Sequence, residues 1–306
     1  FTRQQKDDAV KFICDEIEHV IKDFGDRDPG NDGERKALDY MKSQIAGYAD
    51  DSYGESFKVA PHAFFGWTYF VGVFMMLAIA TYFFAPIVSV VCVLFALIPM
   101  IGQFVLYRET IDWLFKKRES GNVWGGIKPS GKLKRRIVLN GHSDATYEWH
   151  WHYVGGYNLF LTSIIIPIIG VIYILACVVV ACVSMGGVIG TPSGVPLYMG
   201  IASVIFVPFY IAFFLFSDIR RPVPGANDNL TACYMAIAVL KLMKENNVRL
   251  ENTEVVALVT GSEEAGLRGA KFFCKNNPDL WKEDDVETLF VTYETLRELE
   301  HPVIFN

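Results

Sequence analysis

Two long charge-free stretches constrain the fold of this chain more than any other feature of its sequence. No Asp, Glu, Lys or Arg occurs between Lys58 and Arg108, or between Glu148 and Asp218. Each stretch holds two apolar runs of about 20 residues or more, and a helix of that length crosses a hydrocarbon core of roughly 30 Å. The sequence therefore predicts four transmembrane helices arranged as two hairpins. The predicted spans cover residues 64–84, 87–107, 157–183 and 197–216.

Each predicted hairpin leaves and re-enters the same side of the membrane, so the charged segments form one discontinuous soluble domain. This domain is expected to comprise residues 1–60, 108–150 and 218–306, with the hairpins at 61–107 and 151–217. Lys and Arg residues flank the hairpins on the soluble side, whereas the far-side loops carry no charge. The positive-inside rule then predicts a cytoplasmic soluble domain. We expect an integral, multi-pass membrane protein in contact with the lipid bilayer.

The composition agrees with this division and excludes other classes of protein. The 306 residues are 52% hydrophobic and carry a formal net charge of −6, and the mean hydropathy is +0.26. Such a chain is too apolar for an ordinary soluble domain and too charged for a protein made only of membrane helices. It has no basic stripe, which argues against a nucleic-acid partner. The composition does not define an oligomeric state.

The charged segments alternate helical and extended patterns, which predicts an α/β domain with a mostly parallel sheet flanked by helices. The first helix is amphipathic, with Val10, Ile13 and Ile17 at helical spacing. Strands at 122–127 and 136–139 are expected to be neighbours because only a short turn separates them. The predicted helices cover residues 4–24, 33–48, 229–244 and 265–274, and the other predicted strands cover 55–59, 254–260 and 288–293.

A histidine and an aspartate follow the apolar run that begins at Ile137. The strand predicted there ends at Gly141, and His142 and Asp144 come next in an i, i+2 relation. Alternate residues of an extended backbone point the same way, so the two side chains can meet on one side of the strand end. A carboxylate in that position can fix the tautomer of a metal-bound imidazole. Taken alone, the pair also fits a surface turn with two unrelated polar residues.

Four more carboxylates occur where predicted strands give way to turns. Asp228 precedes a helix after a tight turn, and it fits either a helix cap or a carboxylate shared by two metal ions. Glu263 and Glu264 repel each other at a strand-to-helix turn, so we expect a cation for one and a reacting proton for the other. The simpler alternative is charge stabilisation of a helix N-terminus. Glu294 ends the last apolar strand, where open α/β sheets gather their ligands.

These residues, in this order, resemble the metal-binding motifs of the M28 family of co-catalytic zinc aminopeptidases. The resemblance covers the soluble segments, roughly residues 1–60, 119–148 and 222–306. The run that begins with the two adjacent glutamates is quite specific. The matching motifs are Gly141-His142-Ser-Asp144, Gly225-Ala-Asn-Asp228-Asn, Gly261-Ser-Glu263-Glu264-Ala-Gly-Leu-Arg-Gly269-Ala and Glu294.

The resemblance implies two zinc ions and a ligand set for each. His142, Asp228 and Glu294 would bind one ion. Asp228 would also bind the other ion, together with Glu264, and so would bridge the pair. Two dications held a few ångströms apart polarise a peptide carbonyl and supply hydroxide at neutral pH. Imidazole and carboxylate ligands suit zinc.

The resemblance also assigns the proton chemistry. Glu263 would be the general base and acid, and Asp144 would orient the histidine ligand. A cis peptide bond is implied between Asp228 and Asn229. Glu263 and Asp144 would then act on the reaction without being metal ligands, which makes them the candidate catalytic residues.

The chain departs from the family pattern in three ways. Family members carry a last histidine ligand well after the third carboxylate, and His301 lies too close behind Glu294 to be expected in that role. We expect the missing ligand beyond Asn306, so that the second zinc site is incomplete here, and we expect a longer translation product because the chain begins at Phe1. The third ligand is Glu294, where aminopeptidases commonly use Asp. Soluble members lack the membrane hairpins.

The sequence therefore predicts a membrane-bound di-zinc metallopeptidase, an aminopeptidase that cleaves peptides near a free N-terminus. One alternative is a related amidase, such as an N-acyl amino acid hydrolase, or a carboxypeptidase. Another is a catalytically inactive peptidase-like binding module, against which the intact Glu263 argues. A transporter would carry ionisable residues within its spans, and these spans carry no Asp, Glu, Lys or Arg.

Chain length between the motifs and the membrane bears on the substrate. Asp144 precedes the next predicted membrane entry by about 9–13 residues, and Asp228 follows the last span by about 12 residues. At ~3.3 Å per extended residue, these tethers hold a metal centre within roughly 30–40 Å of the bilayer surface. We therefore expect a peptide substrate that approaches along the membrane, with a preference for hydrophobic or membrane-derived peptides.

Overall fold

The computed structural model describes residues 1–295 and divides the chain into two compact units. The first, the α/β unit, consists of Phe1–Pro61, Lys116–Thr146 and the chain from Pro222 onward. The second, the helical unit, consists of His62–Phe115 and Tyr147–Arg221. His301, which we do not expect to be a metal ligand, lies outside the described residues.

Helices and strands alternate along the α/β segments, and long helices make up most of the helical unit. The helices are α1 (Arg3–Phe24), α2 (Asp32–Tyr48), α3 (Ala63–Tyr82), α4 (Pro86–Pro99), α5 (His150–Met185), α6 (Val195–Ser203), α7 (Val207–Ala212), α8 (Thr231–Glu245) and α9 (Arg268–Asn276). The strands are β1 (Asp51–Val59), β2 (Arg118–Ile127), β3 (Arg135–His142), β4 (Tyr147–Trp149), β5 (Ser217–Pro222), β6 (Thr253–Thr260) and β7 (Glu287–Thr292). Single helical turns of other types lie at Met100–Val105, Asp112–Leu114, Val204–Phe206, Phe213–Leu215, Ala226–Leu230 and Pro278–Leu280.

The sheet of the α/β unit has the strand order β1-β2-β6-β3-β7. β3 runs parallel to both β6 and β7, whereas β2 pairs antiparallel with both β1 and β6. The prediction of an α/β domain is confirmed, but the prediction of a mostly parallel sheet is wrong because the sheet is mixed. The expected pairing of the strands at 122–127 and 136–139 is also wrong, since β6 lies between them.

The burial of β6 explains this order. Every residue of β6 after Thr253 is buried, so the strand needs a neighbour on each edge and a helix layer on each face. Val255, Ala257 and Val259 pack into a core with α2 and α8, while Val256 and Leu258 face a smaller cluster with Phe273 of α9. A strand with two buried faces belongs in the centre of a sheet, and there it separates β2 from β3.

The connection between α1 and α2 comprises residues 25–31 and ends in a turn, in which the backbone N–H of Asn31 donates to the carbonyl oxygen of Asp28. Thr2 and Gln5 form a capping box at the start of α1, and Gly25 ends that helix with a positive φ of 69°. Asn31 caps α2 through its side chain, which accepts from the backbone N–H of Gly33. One residue of this connection and one residue of the first turn of α2 reach the functional site described below.

Four segments of the helical unit are long and apolar enough to cross a membrane. They match the predicted spans, although the third begins earlier and contains a non-helical break at Gly155 and Gly156. Buried hydroxyls inside the unit donate to backbone carbonyls, as Tyr82 does to Pro196 and Tyr210 does to Pro167. The four segments are Ala63–Tyr82, Pro86–Val105, His150–Met185 and Val195–Leu215.

Candidate metal centre

The loops that follow β3, β6 and β7 gather at one edge of the sheet. His142 is the last residue of β3 and lies opposite Thr260, the last residue of β6, so the two parallel strands end together. Glu263 and Glu294 follow β6 and β7 at the same edge. Gly141 lets the start of α8 approach closely, because a Cβ at that position would lie 2.6 Å from the backbone nitrogen of Cys233. The predicted site residues are thus collected at the carboxyl end of the parallel strands.

Three of these side chains form a compact group of potential metal ligands. One ligand atom each from His142, Asp228 and Glu264 lies within 4.8 Å of the other two. The shortest approach is 3.0 Å, between Nε2 of His142 and Oδ1 of Asp228. Both of these atoms are buried, and neither has a hydrogen-bond partner among residues 1–295. Unpaired buried polar atoms are costly, and a cation between them would satisfy both, so the donor set fits zinc.

The tautomer of His142 follows from its other ring nitrogen. Nδ1 lies 3.1 Å from the backbone carbonyl oxygen of Asp144. Because a carbonyl oxygen can only accept, Nδ1 carries a proton, which leaves Nε2 as the ring nitrogen that a bound cation would take as its ligand. The carboxylate of Asp144 is farther away, with Oδ1 at 3.4 Å from Nδ1. The backbone of Asp144, more than its side chain, therefore orients the imidazole.

The carboxylate of Asp144 instead holds the turn after β6. Its Oδ1 accepts from the backbone N–H of Glu263 at 3.0 Å, and its Oδ2 accepts from that of Glu264 at 2.9 Å. The side chain of Asp144 is completely buried. Hydrogen bonds from neutral donors to a buried carboxylate are strong, so Asp144 fixes the backbone from which both glutamate side chains project.

Glu263 and Glu294 lie beside the ligand group. Oε2 of Glu263 and Oε1 of Glu294 are each 3.7 Å from Nε2 of His142. The side chain of Glu294 is 53% exposed, and its Oε2 accepts from Asn229 at 3.2 Å. The implied cis peptide between Asp228 and Asn229 is confirmed. The structure therefore brings all six predicted site residues to one edge of the sheet, with Glu294 the most open to solvent.

The clustering of carboxylates around one imidazole shifts their protonation. Burial raises the pKa of Glu263 to about 7, and the surrounding carboxylates add to this effect while His142 opposes it. The pKa of Glu264 is raised well above its ordinary range, first by burial and then by Glu263. Burial lowers the pKa of His142, but its carboxylate neighbours more than offset this and raise it well above its usual value. Burial raises the pKa of Asp228, and the adjacent imidazole reverses that shift and leaves the pKa below its ordinary value.

Sequence reasoning missed Arg27, which ties the two ligand-bearing loops together. The residue is 1% exposed, and its Nε donates to the carbonyl oxygen of Ser143 at 3.0 Å. Its Nη2 donates to the carbonyl oxygens of Pro224 at 2.7 Å and Gly225 at 3.3 Å. One guanidinium thus links the loop after β3 to the turn before α8. The residues around Arg27 in the sequence do not predict this role, because all three acceptors are backbone atoms more than a hundred positions away.

Comparison with known families identifies part of this region. A family model described as Peptidase family M28 matches residues 211–294. The matched stretch contains Asp228, Glu263, Glu264 and Glu294, whereas His142 lies outside it. The match confirms the resemblance drawn from the motifs. A comparison with curated proteins found no significant match.

Several solved structures resemble this chain at low identity. A leucine aminopeptidase precursor from Bacteroides thetaiotaomicron is 11% identical, with a TM-score of 0.43 over 94% of this chain and 61% of that one. A glutaminyl cyclase from Fimbriiglobus ruber is 12% identical, with a TM-score of 0.45 over 94% of this chain and 60% of that one. An aminopeptidase from Aneurinibacillus sp. is 10% identical, with a TM-score of 0.46 over 92% of this chain and 69% of that one. The chain spans about three-fifths of the length of the first two structures.

Proposed function

We propose, from the match to peptidase family M28 and from the geometry of the sheet edge, that this chain is a zinc-dependent peptidase of the aminopeptidase type. The observation that carries the proposal is the pair of buried, unpartnered atoms Nε2 of His142 and Oδ1 of Asp228, 3.0 Å apart. Glu264 completes a group of three ligands around that pair. Glu263 lies within reach of the same point without belonging to the group.

Each side chain has a distinct task in this proposal. Asp228 would bridge two zinc ions, with His142 and Glu294 as the other ligands of one ion and Glu264 as the other ligand of the second. Zinc supplies Lewis-acid activation of the scissile carbonyl and of the attacking water. Glu263 takes the proton from that water and returns it to the departing amine nitrogen, because its carboxylate lies beside the ligand group without belonging to it.

The charges around the site favour a substrate with a free amino end. Asp144, Asp228, Glu263, Glu264 and Glu294 are all acidic, and the side chain of Glu294 is more exposed than those of Asp144, Asp228 and Glu263. Two bound zinc ions would offset four of these five negative charges, so the preference for an α-ammonium group over the α-carboxylate of a carboxypeptidase substrate rests on the one charge that remains and on the family match. Aminopeptidase action therefore takes precedence over carboxypeptidase action in this proposal.

The helical segments set the second part of the proposal. Four helices with the length and composition of membrane spans interrupt the α/β unit along the chain. We propose that they are embedded in the bilayer and that the α/β unit lies in the cytoplasm, since basic residues flank the spans on its side. Asp144 precedes the helical unit by only three residues, and Asp228 follows it by seven. These short links favour substrates presented at the membrane surface, such as hydrophobic or membrane-derived peptides.

The first experiment tests the metal and the reaction together. The full natural chain is purified in detergent, its zinc content is measured by mass spectrometry, and hydrolysis is followed on three matched peptides. One peptide has a free N-terminus, one is N-acetylated, and one is C-terminally amidated. The proposal expects close to two zinc ions, chelator-sensitive hydrolysis of the first and third peptides, and no hydrolysis of the second. Cleavage of the acetylated peptide, or activity that survives complete zinc removal, would overturn the aminopeptidase proposal.

A second experiment tests the membrane part. The protein is reconstituted in bilayer nanodiscs, and turnover is compared for two peptides that share the scissile residues but carry an apolar or a polar segment. The proposal expects the apolar peptide to be preferred in nanodiscs more strongly than in detergent. Equal turnover of both peptides in both environments would remove the argument for membrane-derived substrates while leaving the peptidase proposal intact.

A further inference from the structure

Glu34 is a second buried carboxylate that reaches the turn after β6. It lies in the first turn of α2 and is 0% exposed. Its Oε1 accepts from the backbone N–H of Ser262 at 2.6 Å, from the hydroxyl of the same residue at 3.2 Å and from Ser120 at 3.0 Å. Its Oε2 accepts from the backbone N–H of Gly30 at 2.6 Å. Four neutral donors therefore converge on one side chain.

Ser262 is the residue before the candidate general base, and its backbone is strained. Its φ of 53° lies in the left-handed region, which a non-glycine residue adopts at a cost. Both of its donor groups point to Glu34, so the carboxylate stabilises this conformation directly. The next two N–H groups, of Glu263 and Glu264, donate to Asp144. Two buried carboxylates thus hold three consecutive amides of the turn.

We infer that Glu34 is a positioning residue for the proposed reaction, one that fixes Ser262 and through it the direction in which Glu263 and Glu264 project. The inference rests on the proposed function for what the turn does, but not for how the turn is held. A glutamine could not replace the glutamate here, because its NH₂ group would face one of the two short backbone N–H contacts.

The burial of Glu34 carries a cost that a purely structural contact does not require. Burial raises its pKa to about 8, the charge of Asp144 adds to that rise, and the hydrogen bonds from Gly30, Ser262 and Ser120 oppose it. A neutral side chain of similar size would avoid this cost. The ionised carboxylate can accept from all four donors, whereas the protonated form must use one oxygen as a donor, so these hydrogen bonds favour the charged form against the effect of burial.

The test compares Glu34→Gln with a matched control at the other end of β6. Glu254→Gln also replaces a buried carboxylate of the same unit, 8% exposed and bonded to Arg136 at 2.6 Å, but it does not contact the turn. Hydrogen–deuterium exchange is measured for peptides spanning Gly261–Ala265 in the protein as purified. Glu34→Gln should speed exchange there roughly ten-fold, whereas Glu254→Gln should leave it at the wild-type rate.

Kinetics and metal affinity provide the second readout. Glu34→Gln should lower kcat about 10–100-fold with little change in KM, and zinc affinity measured against a chelating dye should fall in the same direction. Glu254→Gln should change neither quantity per folded molecule. Wild-type exchange and kcat in Glu34→Gln, or equal losses in both variants, would overturn the inference.

A milder variant keeps the test decisive if Glu34→Gln does not fold. Ser262→Ala removes only the hydroxyl bond to Glu34, and exchange in the same peptides should rise by a smaller factor; unchanged exchange counts against the inference. If the wild-type protein hydrolyses none of the peptides, the proposed function fails, but the exchange comparison still decides whether Glu34 holds the turn.

Discussion

The two ends of β6 bury carboxylates in opposite ways. At the start of the strand, Glu254 accepts from Nε of Arg136 at 2.6 Å, and the same guanidinium also binds Glu283 and the carbonyl oxygen of Leu280. Opposite charges are paired there, and each of the three nitrogens of the arginine donates to an acceptor. At the other end, carboxylates gather around one imidazole, and its Nε2 has no hydrogen-bond partner among the residues described.

This contrast separates a structural use of buried charge from a functional one. A buried ion pair that is fully hydrogen-bonded can have a purely structural role, because it needs no additional ion or proton to satisfy its polar atoms. A group of like charges with unpartnered atoms is costly unless a cation or a reacting proton completes it. The four predictions below alter one end at a time, from the largest expected effect to the smallest, and so test whether the two ends differ in this way.

Replacing Glu263 by Gln should have the largest effect. The change keeps the size of the side chain and removes only its ability to take and return a proton. We expect kcat to fall roughly 10³–10⁴-fold with zinc content preserved, which metal analysis and single-turnover assays on the same sample would show. An active variant would mean that Glu263 is not the base.

Breaking the ion pair at the opposite end should cost stability and not catalysis. Arg136→Met leaves Glu254 buried without its cation, which typically costs about 3–5 kcal/mol. Chemical unfolding followed by pulse proteolysis would measure this loss, and activity per folded molecule should stay at the wild-type level. The double variant Arg136→Met with Glu254→Met should recover much of the stability. A lasting loss of kcat in either variant would erase the distinction between the two ends.

Asp144→Asn should give an intermediate effect at the carboxyl end. One of the two N–H groups now held by the carboxylate would face an amide NH₂, so the turn that carries Glu263 and Glu264 should lose its fixed geometry. We expect kcat and zinc affinity to fall about 10–100-fold, read from initial rates and from dye competition. Asp50→Asn, which removes a partly exposed partner of Arg249, is a control that should leave both quantities unchanged.

The parts of this molecule that sequence could predict are those whose cause is local. The four long apolar helices were predictable because their length and the absence of charge can be read directly from the sequence. Glu263, Glu264 and Glu294 could be singled out from the sequence because each follows closely on an apolar strand, and Asp228 because it lies in a tight turn before a helix. The sheet order was not, because β2 and β3 are close in the chain and only the burial of β6 on both faces excludes their pairing.

Arg27 and Glu34 were hidden for a related reason. Their partners are backbone atoms that folding brings from distant segments, such as Ser143 for the arginine and Ser262 for the glutamate. In the sequence, Arg27 is one of several charged residues between two predicted helices, and Glu34 is one of several charged residues at the start of the second. The structure shows that the connection between α1 and α2 supports the turns from which the site residues project, a role that spacing alone cannot predict.

The smallest expected effect is a pH dependence of stability that arises at the carboxyl end. The pKa of Glu34 is raised to about 8 in the folded protein, above its ordinary value of 4.5, because the side chain is buried. The folded state therefore binds the proton more tightly than the unfolded state. The stability gained in this way is fully present below pH 4.5 and is lost as the pH rises through 8.

Wild-type protein should therefore become less stable relative to Glu34→Gln as the pH is raised from about 6 to about 9, because glutamine has no proton to lose. The thermal midpoint of each protein is measured in the same detergent after metal removal. The midpoint of the wild type minus that of the variant should fall by a few degrees between the lower and the higher pH. Metal removal matters, since bound zinc adds its own pH dependence through the ligands. A difference that stays constant with pH would show that Glu34 is ionised throughout. The donors around it would then outweigh its burial, and both ends of β6 would hold their carboxylates as charges.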